Sequence, residues 1–146
     1  MPDARPQTDT MLENARHPEL ARFINEHAIR RGTFTLASGR TSSYYCDGKL
    51  VSFSGEGAQL IADAILEEIK DIEADAIGGM DMGSTPIVSA VAMRAFQMGR
   101  HLPSFIVRKE VKGHGTKKPV EGNLPKDPAR VIMVDDVITS GGSIMQ

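Results

Sequence analysis

The chain holds a single cysteine, Cys46, among 146 residues. One thiol makes neither an intrachain disulfide nor a zinc cluster, so a disulfide-stapled scaffold is excluded and a reducing cytoplasm is the expected setting. Cys46 stands in a strand-like run and reads as a packing residue rather than a nucleophile. An excess of one charge is also missing. Seventeen Lys and Arg against nineteen Asp and Glu leave a net charge of −2, which gives no global attraction to nucleic acid. No apolar run nears membrane-spanning length, so no membrane partner is expected. The opening Met1-Pro2-Asp3-Ala4-Arg5-Pro6 lacks the apolar core of a signal peptide. Internal repeats and low-complexity tracts are absent, and so is the G-x-x-x-x-G-K-[ST] phosphate loop of the P-loop NTPases. The length suits one domain with a sizeable core.

What is present alternates. Residues 1–17 read as a disordered or irregular tail. From Pro18 to Arg31, Leu20, Phe23, Ile24 and His27 recur at helical spacing, which predicts a helix stopped by Gly32. Thr33 to Leu36 and Ser43 to Cys46 are β-prone around Ser38-Gly39-Arg40 and predict a hairpin. Its Tyr44-Tyr45 pair reads as packing. A second amphipathic helix is expected over Gly55 to Lys70. Apolar runs at Ala74 to Met80, Leu102 to Val107 and Val131 to Val134 predict three core strands, with a helix at about Ile87 to Met98. Strands separated by a helix and short connections argue for α/β with a parallel sheet. Ligands of such sheets sit at the carboxyl ends of strands.

Three marked loops lie at those ends. Val131-Ile132-Met133-Val134 runs into the paired carboxylates Asp135 and Asp136 and then into Val137-Ile138-Thr139-Ser140-Gly141-Gly142-Ser143. Glycines let backbone N–H groups approach a phosphate and hydroxyls add donors, while paired carboxylates suit sugar hydroxyls or a metal ion. After Val107 comes Arg108-Lys109-Glu110-Val111-Lys112-Gly113-His114-Gly115-Thr116-Lys117-Lys118-Pro119-Val120-Glu121-Gly122, five cations and a histidine among glycines. That composition fits a mobile loop closing over a polyphosphate. With no aromatic interleaved, single-strand nucleic-acid binding is disfavoured. The third loop, Gly78 to Pro86, carries hydroxyls and leads into a helix.

Together these segments resemble the orotate phosphoribosyltransferase family. Phe34-Thr35-Leu36-Ala37-Ser38-Gly39-Arg40 resembles its hood, the Arg-Lys-Glu-x-Lys-x-His-Gly run followed by Glu-Gly its catalytic loop, and Asp-Asp-Val-Ile-Thr-x-Gly-Gly-Ser its phosphoribosyl-pyrophosphate (PRPP) loop. The resemblance implies a type I phosphoribosyltransferase fold, a parallel sheet flanked by helices with an N-terminal hood over about residues 18–50 and an incomplete core over 51–146. It implies transfer of ribose 5-phosphate from PRPP to orotate in pyrimidine synthesis, with Mg2+ carried by PRPP and no direct protein ligand. Thr139, Ser140, Gly141, Gly142 and Ser143, following Val137 and Ile138, would cradle the 5′-phosphate. Asp135 and Asp136 would hold the ribose hydroxyls. Arg108, Lys109, Lys112 and His114 would hold the pyrophosphate, with Met82 and Gly83. Tyr45 and Cys46 would meet orotate through their backbones, beside Thr139. Lys112 and His114 would reach a neighbouring subunit's site, which implies a homodimer.

The chain departs from the family in places. Some members carry Lys where Ala37 and Gly83 stand. After the PRPP loop only Ile144-Met145-Gln146 follow, where the family continues with a helix, further core strands and an orotate-binding arginine. The chain therefore reads as truncated at its C-terminus, with poor solubility or partial unfolding, and no turnover, expected of it. The alternative reading is a non-catalytic regulator of the same fold that binds PRPP or a nucleotide. A purine phosphoribosyltransferase is disfavoured by the hood motif.

Overall fold

The computed structural model describes residues 11–36, 38–109, 118–138, 142 and 144–145. The chain forms two compact units, Met1–Leu60 and Ile61–Gln146.

In the first unit, helix α1 (Pro18–His27) starts at a proline, whose fixed φ and missing N–H suit a first turn. It ends four residues sooner than the apolar spacing suggested. Ala28 closes it by donating its N–H to the Ile24 carbonyl (2.9 Å), and the β-branched Ile29 already belongs to a strand. Gly32 is therefore not a helix stop. It lies inside β1 (Ile29–Thr35), where the register slips between Arg31 and Phe34. Strand β2 (Thr41–Cys46) pairs antiparallel with β1. The turn between them closes through the N–H of Leu36 on the Arg40 carbonyl, and Gly39 takes the positive φ of 80° that the turn requires. A short helix α2 (Lys49–Ser52) follows. Ser54 then caps α3 (Gly55–Glu68), its hydroxyl accepting the Gly57 N–H at 3.0 Å.

The second unit is built on a four-stranded sheet. Strands β3 (Ala76–Met80), β4 (Ser104–Val107), β5 (Val120–Gly122) and β6 (Val131–Val134) stand in the order β5-β4-β3-β6. β3 is parallel to β4 and β6, whereas β5 runs antiparallel to β4. The sequence reading of three core strands thus missed β5, a three-residue strand inside a polar stretch that carries no apolar run. Gly78 and Gly79, counted above both in the Ala74–Met80 strand and in the loop that follows, belong to β3, all of which is buried. The Phe105 ring fills the space a side chain on Gly78 would take, and Ser84 fills that of Gly79. Helix α4 (Thr85–Gln97) packs on β3 and β4. Its end is set by Gly99 at φ 81°, whose N–H meets the Phe96 carbonyl while Arg100 N–H meets that of Ala95. Ile77, Val88, Val91 and Ala95 form the centre of the core with Ala62, Leu66, Ile69, Ile87 and Leu102. Among the described residues, no helix is long and apolar enough to cross a membrane.

Candidate functional site

The carboxyl ends of β3, β4 and β6 carry the marked residues of the second unit. Past β3, Asp81 to Ser84 turns into α4, with a cis bond between Asp81 and Met82. Ser84 is buried, its hydroxyl donating to the Met80 carbonyl, and makes no side-chain cap for the helix. Pro86 follows in the first turn. The start of a thirteen-residue helix favours an anion. Met82 is exposed there.

Past β6 come Asp135 and Asp136, both half-buried. The Asp136 N–H donates to Asp135 Oδ1 at 2.9 Å, and the Asp136 carboxylate lies against Gly83. A side chain on Gly83 would occupy that carboxylate's place, so the glycine and the position of Asp136 go together. Burial pushes the Asp135 carboxyl up from its ordinary range, and the Asp136 carboxylate adds to this. The Asp136 amide and the Lys109 ammonium pull it down. Lys109 thereby helps to keep Asp135 ionised. Past β4, Arg108 donates its N–H to the Pro119 carbonyl (2.7 Å) and pairs through Nη2 with Glu121 Oε1 (3.0 Å).

The second unit thus gathers Met82, Gly83, Arg108, Lys109, Asp135 and Asp136 at one end of the sheet. Val137 and Ile138 follow, exposed, and Gly142 is exposed beyond them. Lys112, His114, Thr139, Ser140, Gly141 and Ser143 lie outside the described residues. Tyr45 and Cys46 belong to the first unit, at the end of β2, opposite Arg30 and Ile29. Two readings are corrected there. Tyr44 and Tyr45 are exposed rather than packed, though the Tyr45 ring tilts against Phe34 at 5.8 Å. Cys46 is likewise exposed, because it lies on an outer register position of a two-stranded hairpin. Partial desolvation, then the Asp47 carboxylate, pushes its thiol up. The residue that sequence reasoning left without a role is Glu121, although the Glu-Gly pair after the cationic loop was visible.

A cavity of about 530 Å³ lies at the opposite end of the sheet, lined by Asp75, Arg100, His101 and Arg130 among others. Several of its charges are paired. Arg130 pairs with Glu73 (3.1 Å), Asp75 accepts the Arg130 N–H (2.7 Å), and Arg100 donates to the carbonyls of Ile69 and Ile72.

No family model matches the chain. Among curated proteins, it is 39% identical to orotate phosphoribosyltransferase of Bradyrhizobium diazoefficiens over 140 residues, 93% of this chain and 74% of that one. It is 40% identical to the Synechocystis enzyme of the same name over 126 residues, 86% of this chain but 63% of the relative's length. Among solved structures, orotate phosphoribosyltransferase of Mycobacterium tuberculosis in complex with PRPP superposes with a TM-score of 0.71 at 28% identity, covering 88% of this chain and 69% of that one. The fold is therefore that of the type I phosphoribosyltransferases, and with relatives of this identity spanning most of its length the chain belongs to the orotate phosphoribosyltransferase family.

Proposed function

We propose that this chain carries the PRPP-binding part of an orotate phosphoribosyltransferase of the cytoplasm, which joins the ribose 5-phosphate of PRPP to orotate and releases pyrophosphate. One observation carries the reading: paired carboxylates, an anion-favouring helix start and two cations meet at the carboxyl end of one sheet. In the reaction the bond from the anomeric carbon to the diphosphate oxygen breaks, its electron pair leaving with the diphosphate, and a ring nitrogen of orotate, giving up its N–H proton to solvent, bonds to that carbon. Positive charge grows on the ribosyl ring and negative charge on the leaving group. Asp135 and Asp136 hold the ribose hydroxyls and favour the ring cation, while Arg108, Lys109, Lys112 and His114 take the diphosphate. Thr139 to Ser143, following Val137 and Ile138, take the 5′-phosphate, and Tyr45, Cys46 and Thr139 take orotate.

Mg2+ fits this donor set. No three His, Cys, Asp or Glu side chains among the described residues form a ready cage. The adjacent carboxylates are hard oxygen groups beside a diphosphate position, and Mg2+ takes most of its ligands from phosphate and water. When bound, it neutralises charge on the leaving diphosphate.

The reading includes a homodimer in which Lys112 and His114 serve the neighbouring site. The exposed apolar face of α4, with Met93 at 59% and Phe96 at 76% exposure, supports a partner copy. In a chain continued to the length of its relatives, orotidine monophosphate formation should fall by about two orders of magnitude for Lys112→Ala, the scale of one lost electrostatic stabiliser. Mixing Lys112→Ala with Asp136→Asn protein should restore turnover through hybrid dimers. No turnover in the unmutated chain contradicts the function, and no rescue with hybrids present contradicts the shared site.

A further inference from the structure

We infer that Glu121 is a positioning residue, whose carboxylate holds the Arg108 guanidinium in the orientation in which it meets the diphosphate. The inference rests on the proposed role of Arg108 at the diphosphate and adds a residue to it. Ile106 pairs with Glu121 and Val107 with Val120. Side chains alternate along a strand, so Arg108 lies on the same face as Ile106, diagonal to Glu121 and within reach of a long side chain. The pair is closed, at 3.0 Å. The backbone fixes both ends, because Arg108 N–H meets the Pro119 carbonyl and Asn123 N–H that of Ser104.

The neighbouring glycine explains why the two residues occur together. Gly122 has φ 98°, and a β-carbon there would sit 2.8 Å from the Ser104 carbonyl oxygen. Glycine lets β5 close on β4, and that closure sets the glutamate beside the arginine. Arg108 needs an anchor. Its Nε is buried and has no hydrogen-bond partner among the described residues, so the guanidinium is oriented through the bond from Nη2 to Glu121.

Two effects of the carboxylate oppose each other. It reduces the positive potential offered to an anion, and it removes rotamer freedom from a long side chain before the anion arrives. The arginine and glutamate side chains are 27% and 40% exposed, so solvent screens the first effect. Ordering an arginine is the larger cost, and a preset guanidinium avoids it at binding. Glu121 therefore strengthens diphosphate binding although it is an anion.

The test is calorimetric titration of a chain continued to the length of its relatives with inorganic pyrophosphate, alongside thermal unfolding of each variant. Glu121→Ala should weaken binding about tenfold, and Glu121→Gln, which keeps an acceptor in place, should stay within about threefold of the unmutated chain. In an Arg108→Ala background, Glu121→Ala should add nothing. The isosteric Gln variant keeps the test alive where Ala lowers the melting temperature. Unchanged or tighter binding by Glu121→Ala overturns the inference. So does a Gln variant as weak as Ala, or a Glu121→Ala loss that persists without Arg108, the mark of a merely structural role. Those results leave the function reading standing. If the unmutated chain ignores pyrophosphate, or Arg108→Ala binds it equally well, the site reading fails and takes this inference with it.

Discussion

The carboxylate of Asp136 lies directly against the α-carbon of Gly83, so the loop past β3 and the end of β6 form a single surface. The absence of a side chain at one position is what places the charge at the other.

Gly83→Ala should therefore disturb function more than folding. Asp136 is half-buried at the rim of the sheet, so its displacement should cost within about 0.5 kcal/mol, as surface changes usually do. A misplaced reacting-site group costs about a hundredfold in rate. Steady-state turnover in a chain continued to the length of its relatives, beside its melting temperature, checks both. A large loss of stability with normal turnover would contradict the assignment.

Asp135 gives a dependence on pH. Its folded pKa is raised above the ordinary 3.8, burial being the first cause. A carboxyl raised in this way favours the fold while protonated. Its contribution is complete below 3.8 and is lost as pH rises through the folded value. At neutral pH the ionised group is a burden. Asp135→Asn should raise the melting temperature at pH 7, with the gain shrinking toward pH 3, while turnover falls. An equal gain at all pH values would count against this account.

Gly78→Ala should act on the core. The Phe105 ring occupies the required space and is only 4% exposed, so it cannot swing into solvent. Overpacking of this kind costs about 1 to 3 kcal/mol. Urea unfolding should show a lower midpoint with the slope unchanged. Adding Phe105→Leu should recover part of the loss.

Cys46 is exposed yet should label slowly. Partial desolvation and Asp47 push its thiol above the ordinary 9.0, and only the thiolate reacts. Iodoacetamide modification should be slow at pH 7 and still accelerating at pH 9. Asp47→Asn should speed it. A rate that levels off below pH 8 would reveal a depressed thiol instead.

Much of this was legible because buried parallel strands announce themselves. Val131–Val134 was read to the residue, α4 within two, and the hairpin within two except at the start of β1, which begins four residues earlier than read. The Asp135-Asp136 pair and the cations after Val107 were visible because charge directly after an apolar run has few structural uses. β5 was not legible. Three residues, one of them glycine, form a strand there only because β4 offers an edge. Without β5, Glu121 had no partner to suggest a role. The early stop of α1 was hidden for a related reason. No glycine or proline stands between Pro18 and Gly32 to stop the helix, and only pairing with Cys46 claims Ile29 for a strand.

The register of β3 also bears on the order in which the molecule assembles. Gly78 pairs with Phe105 on one side and with Met133 on the other, a separation about twice as long, and closing the longer loop has the greater entropic cost. β3, α4 and β4 can therefore consolidate first, with β6 docking on a finished edge. The strand that ends in the carboxylates is then a late arrival, and the chemistry exists only once folding is nearly complete. In folding kinetics, Ile132→Val should mainly speed unfolding, whereas Val91→Ala in α4 should slow folding.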